Sequence, residues 1–182
     1  MATAYLALGA NVGNRRENLR MALRLLSEHV RVIEVSSLYR SEALVPEGAA
    51  PGPDFLNAVA AVETDLEPAD LLRALKEIER EIGRRPAPRW AARPIDIDIL
   101  LCDERVITTP DLTVPHPAML GRNFVLVPLA EIAPGARHPA AGAAIGELAE
   151  DIDYGGLEHL EGPEWAAIDV PPAPDADGRG PR

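Results

Sequence analysis

The sequence predicts an α+β domain in which two helices pack on one face of an antiparallel sheet. Four apolar segments indicate strands, two of them with a period of two, and apolar residues recur with helical spacing in two other segments. The order along the chain is strand, helix, strand, strand, helix, strand, which is the ferredoxin-like βαββαβ arrangement. The chain has 182 residues, 47% of them apolar, and we expect one such domain over residues 1–160.

The first strand and the first helix follow from the opening of the chain. The segment TAYLALGAN predicts a buried strand that ends in a turn at residues 9–11. A helix is expected from Asn14, because Asn14 and Glu17 have the spacing of a capping box. Its apolar residues follow helical spacing, namely Leu19, Ala22, Leu23, Leu26 and Val30.

Two further strands precede the second helix. VRVIEVSSLYRS predicts one strand and FLNAVAAVET another, while the Pro- and Gly-rich EALVPEGAAPGPD between them predicts a long loop. The second helix is expected to begin at Glu67 and Pro68 and to end at Gly83, a residue that tolerates the left-handed conformation. Its apolar stripe consists of Leu71, Leu75, Ile78 and Ile82.

The rest of the chain completes the sheet and extends it. IDIDILL predicts the last core strand, ERVIT a short strand and FVLVPLAEIA a helix. Residues 161–182 are crowded with Pro, Gly, Ala and Asp, and we expect a disordered tail there. Since both core helices lie on one face, the other face of the sheet is expected to be available.

Composition limits the function. The formal net charge of -11 argues against a protein that coats nucleic acid, because binding to phosphates needs a dense basic surface. The only cysteine, Cys102, cannot form an intramolecular disulfide, and no apolar stretch approaches membrane-spanning length. We therefore expect a soluble cytoplasmic protein that binds small molecules, with no nucleic acid and no membrane as partner.

Two like charges share one face of the strand IDIDILL. Side chains alternate along a strand, so Asp96 and Asp98 point to one face and the isoleucines to the other. Two such carboxylates can converge on a hard cation such as Mg²⁺. Two other interpretations stay open, namely an acidic solvent face and aspartates that are paired with nearby arginines.

A basic loop immediately precedes this strand. RRPAPRWAAR contains Arg84, Arg85, Arg89 and Arg93 and no acid, in a chain that is strongly acidic overall. A guanidinium is always charged and has a planar fork that suits phosphate oxygens, so the loop beside the aspartates suggests a nucleoside triphosphate with its metal. The alternative is a solvated loop whose arginines only balance the surrounding acids.

Other residues suggest a heterocycle and no covalent chemistry. The sequence has no G-x-x-x-x-G-K-[ST] loop, and Cys102 has no basic neighbour in sequence that would activate it. His116 is fixed between two prolines and could contact a phosphate or a ribose. Phe55 and Phe124 could hold a flat ring between them, with Asn57 as both donor and acceptor, although each phenylalanine could equally belong to the core.

Seven segments, taken in order and spacing, carry a resemblance to a known family. They are AYLALGAN, SSLYRS, PDFLNAV, IEREIGR, RWAARPIDIDILL, LTVPHPAM and RNFVLVPLAEIAP. Together they resemble the 6-hydroxymethyl-7,8-dihydropterin pyrophosphokinases of folate biosynthesis over roughly residues 3–140. The resemblance implies a ferredoxin-like core and an enzyme that transfers pyrophosphate from ATP to the pterin hydroxymethyl group and releases AMP.

The resemblance also implies the roles of individual residues. Two Mg²⁺ ions would bind to Asp96 and Asp98, which with Arg84 and Arg93 would form the catalytic group; Arg85 is an alternative for the middle arginine of the loop. The pterin would contact Phe55, Phe124, Asn57 and the backbone around Ser41 and Leu44. The residues implied for ATP are Leu72, Arg89, Trp90, Arg93, Ile99, Thr113, His116 and Arg122. Neighbouring folate-pathway enzymes are implied as partners.

Two other functions remain compatible with the fold, because the ferredoxin-like arrangement hosts many functions. One is a non-catalytic regulatory module that binds a nucleotide or a metal. The other is a nucleic-acid-binding module, which the sequence disfavours because the strands lack the necessary aromatic and basic pattern.

Overall fold

The predicted order of strands and helices is present in the structure, a computed structural model that describes residues 1–44, 48, 50, 52–87 and 91–166. The core elements are β1 (Ala2–Ala10), α1 (Arg15–Leu26), β2 (Arg31–Val35), β3 (Leu38–Ser41), β4 (Phe55–Thr64), α2 (Pro68–Ile82) and β5 (Asp96–Cys102). After them come β6 (Ile107–Thr108), β7 (Thr113–Val114), α3 (Asn123–Ile132), β8 (Arg137–His138), β9 (Ala143–Ala144), α4 (Ile145–Glu150) and β10 (Leu157–Glu161). The sequence had not predicted β7, β8, β9, α4 or β10.

The main sheet has the strand order β10, β3, β4, β1, β5, and β2 also pairs with β4. All of these pairs are antiparallel. With α1 and α2 between the strands in sequence, this order confirms the α+β, ferredoxin-like class. The core strands occur in the sheet as expected from the sequence, and β10 adds a strand at the β3 edge.

Helix α1 begins, and helix α2 begins and ends, where the sequence predicts. Helix α1 ends at Leu26, however, so Val30 of its expected apolar stripe lies beyond the helix. The Asn14 side chain accepts a hydrogen bond from the backbone amide of Glu17 at 3.3 Å. Pro68 is the first residue of α2, and Gly83 ends that helix with a φ of 113°, in the left-handed region that a residue with a side chain rarely adopts.

One predicted strand is in fact two. The prediction of a single strand over VRVIEVSSLYRS is wrong, because Ser36 and Ser37 are not in strand conformation and separate β2 from β3. The Ser36 hydroxyl accepts a hydrogen bond from the Val59 amide, and Ser37 donates both its amide and its hydroxyl to Glu131 of α3. Side chains thus replace regular strand pairing at this point, and β3 then pairs with β4 on one side and with β10 on the other.

The two faces of the sheet are buried differently. Leu6, Leu8 and Ile97 pack with α1 and α2 in the larger core, as the alternation of β5 predicts. On the opposite face, Val59 and Leu100 pack with α3 and α4 in a second core. The expectation of an available face is therefore only partly correct, since α3 and α4 cover part of it and leave an open region beside β1 and β5.

The first residues of the expected tail belong to the folded domain. Residues 157–161 form β10, residues 163–166 form a 3₁₀ helix, and the Trp165 side chain is fully buried. Trp165 donates its indole N–H to the Ser36 carbonyl at 2.8 Å, and Arg16 pairs with Glu161 at 2.6 Å. The tail prediction is thus wrong for residues 161–166, and its remainder, 167–182, lies outside the described residues.

Within the described part of the chain, none of the helices has the length and hydrophobicity of a membrane span.

Candidate functional site

A cavity of about 350 Å³ opens on the face of the sheet that α3 leaves uncovered. Its floor lies where three strands meet, because Gly9 of β1 pairs with Asn57 of β4 on one side and with Asp96 of β5 on the other. Most of the predicted site residues line it: Ser41, Leu44, Phe55, Asn57, Arg84, Arg93, Asp96, Asp98, His116, Arg122 and Phe124. The structure thus brings together side chains from six separate parts of the sequence.

The two aspartates have different neighbours. Asp96 is paired through one oxygen with Arg84 and through the other with Arg93, whose Nη1 lies 2.5 Å from Oδ2. Asp98 instead faces the Nε2 of His116 at 3.9 Å. The interpretation that arginines pair with these acids is therefore correct for Asp96, and Arg84 and Arg93 of the loop line the cavity.

The charges around the aspartates affect their pKa values in opposite directions. Burial raises the pKa of Asp96, but Arg84 and Arg93 outweigh it, so that this pKa lies below its usual value. Burial raises the pKa of Asp98, and the negative charge of Asp96 raises it further. Burial also lowers the pKa of His116, although Asp98 opposes this shift. A nearby cation would therefore stabilise the charged form of Asp98 more than that of Asp96.

Glu79 of α2 anchors the arginine side of the site, and sequence reasoning missed it. Its side chain is almost completely buried and accepts hydrogen bonds from the Ile97 amide at 2.7 Å and from Arg84 at 2.5 Å. Arg84 therefore bridges Glu79 and Asp96. A signal existed, because Glu79 lies four residues after Leu75 and so falls within the apolar stripe of the helix.

Lys76 also lines the cavity and was missed. It is the only lysine in a chain that otherwise uses arginine for its basic residues, and its Nζ lies 3.0 Å from Glu79 Oε1. Its charge lowers the pKa values of both Asp96 and Asp98 relative to what burial alone would give. A single lysine beside the basic loop was visible in the sequence, but only the helix direction shows that it faces the aspartates.

Asn11 fixes the end of the arginine loop. Its side-chain oxygen accepts from the Arg93 backbone N–H at 2.7 Å, and the Asn11 backbone N–H donates to the Arg93 carbonyl at 3.0 Å. The Asn11 side chain also donates to the Pro53 carbonyl at 3.2 Å. The segments on both sides of the cavity are therefore attached to the end of β1, which no local sequence pattern indicates.

The opposite end of the cavity is aromatic. Phe55 of β4 and Phe124 of α3 both line it, and the Arg122 guanidinium lies 5.8 Å from the centre of the Phe124 ring. Between them, the Asn57 side chain donates to the Ser41 hydroxyl at 2.9 Å. Two flat rings with one amide at the floor can accept a planar heterocycle.

Several predicted residues do not contribute side chains to this cavity. Leu72 packs against the helical core, Ile99 is buried on the helical face of β5, and Thr113 is exposed on β7. Arg89 and Trp90 lie outside the described residues. The roles of all five toward ATP stay predictions.

Gly9 keeps the floor of the cavity open. A Cβ at this position would lie 3.4 Å from Asn57 Oδ1 and 3.5 Å from the Phe55 ring. We expect Gly9→Ala to raise the KM for the heterocyclic substrate by roughly tenfold or more, while the free energy of unfolding changes by less than about 1 kcal/mol. Steady-state kinetics and urea unfolding measure the two effects. An unchanged KM would show that the ligand does not approach this floor.

The aspartates and arginines of this cavity have the chemistry that phosphoryl-type transfer uses, and its two phenylalanines can hold a flat substrate beside them. Residues 5–134 match the family described as 7,8-dihydro-6-hydroxymethylpterin-pyrophosphokinase (HPPK), and the chain belongs to this family. The family assignment made from the sequence motifs is thereby confirmed, and the protein is a pyrophosphokinase.

Similar proteins agree with this assignment. A 2-amino-4-hydroxy-6-hydroxymethyldihydropteridine pyrophosphokinase of Pseudomonas aeruginosa is 44% identical over 160 residues, which cover 87% of this chain and 96% of that protein. The Bacillus subtilis protein of the same name is 46% identical over 131 residues, with coverage of 71% and 77%.

A solved structure supports the fold alone. Wild-type HPPK-DHPS of Plasmodium falciparum matches with a TM-score of 0.67 at 17% identity. The match covers 87% of this chain and 47% of that one, so this chain spans less than half of that protein's length.

Proposed function

We propose that this protein transfers the pyrophosphoryl group of ATP to the hydroxymethyl group of 6-hydroxymethyl-7,8-dihydropterin in folate biosynthesis. The hydroxymethyl oxygen attacks the β-phosphorus and loses its proton to solvent, the bond between that phosphorus and the oxygen bridging to the α-phosphorus breaks, and AMP leaves with the bridging oxygen. The observation that carries the proposal is the single cavity that holds both the aspartate and arginine cluster and the two phenylalanines. Family membership names the substrates.

The arginines supply the positive charge for the triphosphate. Arg84 and Arg93 each have a planar guanidinium that can bind two phosphate oxygens, and both are held in the cavity by Asp96. Arg122 and Lys76 add two further cations around the same space. Because the transferred group carries charge spread over its oxygens, positioned cations stabilise the transition state, and the reaction needs no covalent intermediate.

The carboxylates fit a magnesium site. Mg²⁺ prefers oxygen ligands and usually keeps one or two carboxylates together with water and substrate phosphates. Asp96 and Asp98 provide two such carboxylates on one strand face, and the described residues include no cluster of three or more His, Cys, Asp or Glu side chains that could hold a metal alone. We propose that these aspartates hold two Mg²⁺ ions together with ATP, where the ions would supply charge neutralisation for the triphosphate.

The aromatic end of the cavity would hold the pterin. Phe55 and Phe124 would contact the two faces of the ring, and Asn57 would hydrogen-bond its edge from the floor. Leu44 is 53% exposed and lies at the mouth of the cavity, where it could cover the bound ring. The hydroxymethyl group would then point toward the aspartates, which share the cavity floor across Gly9.

The product distinguishes this function from its alternatives. Incubation with Mg-ATP and the hydroxymethyldihydropterin should release one AMP per pterin diphosphate formed, as measured by chromatography of the nucleotides. A reaction without pterin is the control and should release no AMP. ADP as the product would disprove pyrophosphoryl transfer, and tight Mg-ATP binding without any AMP would favour the regulatory module.

Two further expectations remain proposals. The solved HPPK-DHPS structures place two named enzymes in one chain, which supports our proposal that this protein associates with neighbouring folate-pathway enzymes. The cytoplasmic location expected from the sequence also stays a prediction.

A further inference from the structure

One buried asparagine at the end of β1 holds two walls of the cavity. Asn11 is 4% exposed and lines the cavity together with Pro53 and Arg93. Its Oδ1 accepts from the Arg93 backbone N–H at 2.7 Å, and its Nδ2 donates to the Pro53 carbonyl at 3.2 Å. Because a backbone N–H can only donate and a carbonyl can only accept, these two partners fix the orientation of the Asn11 amide.

The backbone of Arg93 is held at both of its polar groups. The ladder between β1 and β5 pairs Gly9 with Asp96, and the same register would place Asn11 opposite Pro94, which has no N–H to donate. Asn11 bonds to Arg93 instead. Its side chain accepts the Arg93 N–H, and its own backbone N–H donates to the Arg93 carbonyl at 3.0 Å. The direction in which the Arg93 side chain leaves the backbone therefore depends on Asn11.

The position of Arg93 matters at the charged end of the cavity. Its Nη1 lies 2.5 Å from Asp96 Oδ2, so the guanidinium is directed toward the carboxylates. A displacement of about 1 Å of a group that orients the reactants can lower a rate by roughly a hundredfold. Asn11 acts on this end of the cavity through Arg93, which makes it a positioning residue and not a catalytic one.

The donor of the Asn11 amide acts on the aromatic end. Its partner Pro53 lines the cavity and lies two residues before Phe55. Arg15 holds the same segment through its Nη1, which donates to the Asp54 carbonyl at 2.6 Å. Both carbonyls precede the start of β4, so the segment that leads to Phe55 is attached to the end of β1 and to α1.

We propose that Asn11 is a positioning residue whose two polar atoms act on different substrates. Its acceptor holds Arg93 for the triphosphate, and its donor holds the segment before Phe55 for the heterocycle. Resting on the proposed function, this division assigns one amide to both ends of the cavity. Changing the donor alone should therefore affect the heterocycle and leave the transfer step intact.

Three variants separate the two atoms. Asn11→Asp has the same shape, keeps an acceptor for Arg93 and loses the donor to Pro53, whereas Asn11→Ala loses both. Asn14→Ala removes the cap of α1, outside the cavity lining, and is the control for a loss of stability in the same turn. The kcat for AMP release is measured, together with pterin binding by its fluorescence in the presence of Mg²⁺ and a non-hydrolysable ATP analogue. The second readout does not depend on turnover.

We expect Asn11→Ala to lower kcat by roughly 10- to 100-fold, because Arg93 loses its anchor, and to weaken pterin binding by roughly fivefold. Asn11→Asp should keep kcat within about threefold of the native value. Its pterin binding should weaken as in the alanine variant, because an oxygen then faces the Pro53 carbonyl. Asn14→Ala should match the native chain in both readouts, even where urea unfolding shows a lower stability.

The outcomes test each atom separately. Native pterin binding in Asn11→Asp would overturn the role of the donor. A native kcat in Asn11→Ala, or an equal loss of kcat in both Asn11 variants, would overturn the role of the acceptor. If the alanine variant does not fold, Asn11→Asp decides alone, because a lost kcat with native pterin binding is the reverse of the expected result. Failure of the proposed function itself is distinguishable, because the native chain would then release no AMP with the pterin.

Discussion

Replacing Asp98 with asparagine is expected to lower kcat by roughly a thousandfold, comparable to the loss of a principal electrostatic group in other active sites. The substitution keeps the shape of the side chain and removes the charge that would bind the cation beside the triphosphate. The fold should not suffer, because burial and the neighbouring Asp96 already disfavour a charge at Asp98, as its raised pKa indicates. Kinetics of AMP release and urea unfolding measure the two quantities.

A control separates this effect from a general loss of negative charge. Asp65→Asn removes an exposed carboxylate that pairs only with the chain terminus in the described structure, and it should leave kcat unchanged. Near-native kcat in Asp98→Asn with Mg²⁺ would show that Asp98 is not a metal ligand. A large drop in the free energy of unfolding would instead show that its charge is needed by the fold.

The second large effect is on stability and concerns Trp165. Trp165→Ala is expected to lower the free energy of unfolding by about 3–5 kcal/mol, because it removes a large, fully buried side chain from the helical core. The indole also donates to the Ser36 carbonyl at the break between β2 and β3, so the variant leaves this buried carbonyl without its side-chain donor. Urea unfolding followed by circular dichroism measures the change.

Trp165→Phe is the matched variant. It keeps most of the buried area and removes the indole N–H, so the loss should be smaller, with about 1 kcal/mol from the hydrogen bond. A cost below about 1 kcal/mol for Trp165→Ala would mean that residues 157–166 are not part of the cooperative fold, contrary to their packing. The KM for ATP should stay unchanged in both variants, because Trp165 lies on the helical side of the sheet.

The site residues that the sequence revealed all differ from the composition around them. Asp96 and Asp98 stand out because they break the apolar composition of a strand, and Arg84 and Arg93 because they form a basic run in an acidic chain. Phe55 and Phe124 stand out because aromatic residues are rare in it. Each of these signals is local, and the family motifs combine them into one site.

The residues that the sequence missed act over long separations. Asn11 contacts Arg93 82 positions later, and the Trp165 indole bonds Ser36 129 positions earlier. Glu79 looks like an ordinary helix acid until the strand that carries Ile97 is placed against it. Such contacts depend on which elements become neighbours, and no short pattern encodes that.

By itself, the sequence determined the order of the core elements, the alternation that places isoleucines and aspartates on opposite faces of β5, and the family. The order and the alternation follow from short periodicities, which depend on backbone geometry. The family follows from the residues of its motifs. Only the tertiary structure decided that Asp96 is paired with two arginines while Asp98 faces His116, that Ser41 is hydrogen-bonded to Asn57, and that Trp165 belongs to the core. The reason is that burial, charge pairing and hydrogen-bond partners are set by the packing of distant segments, which fixes the environment in which each side chain acts.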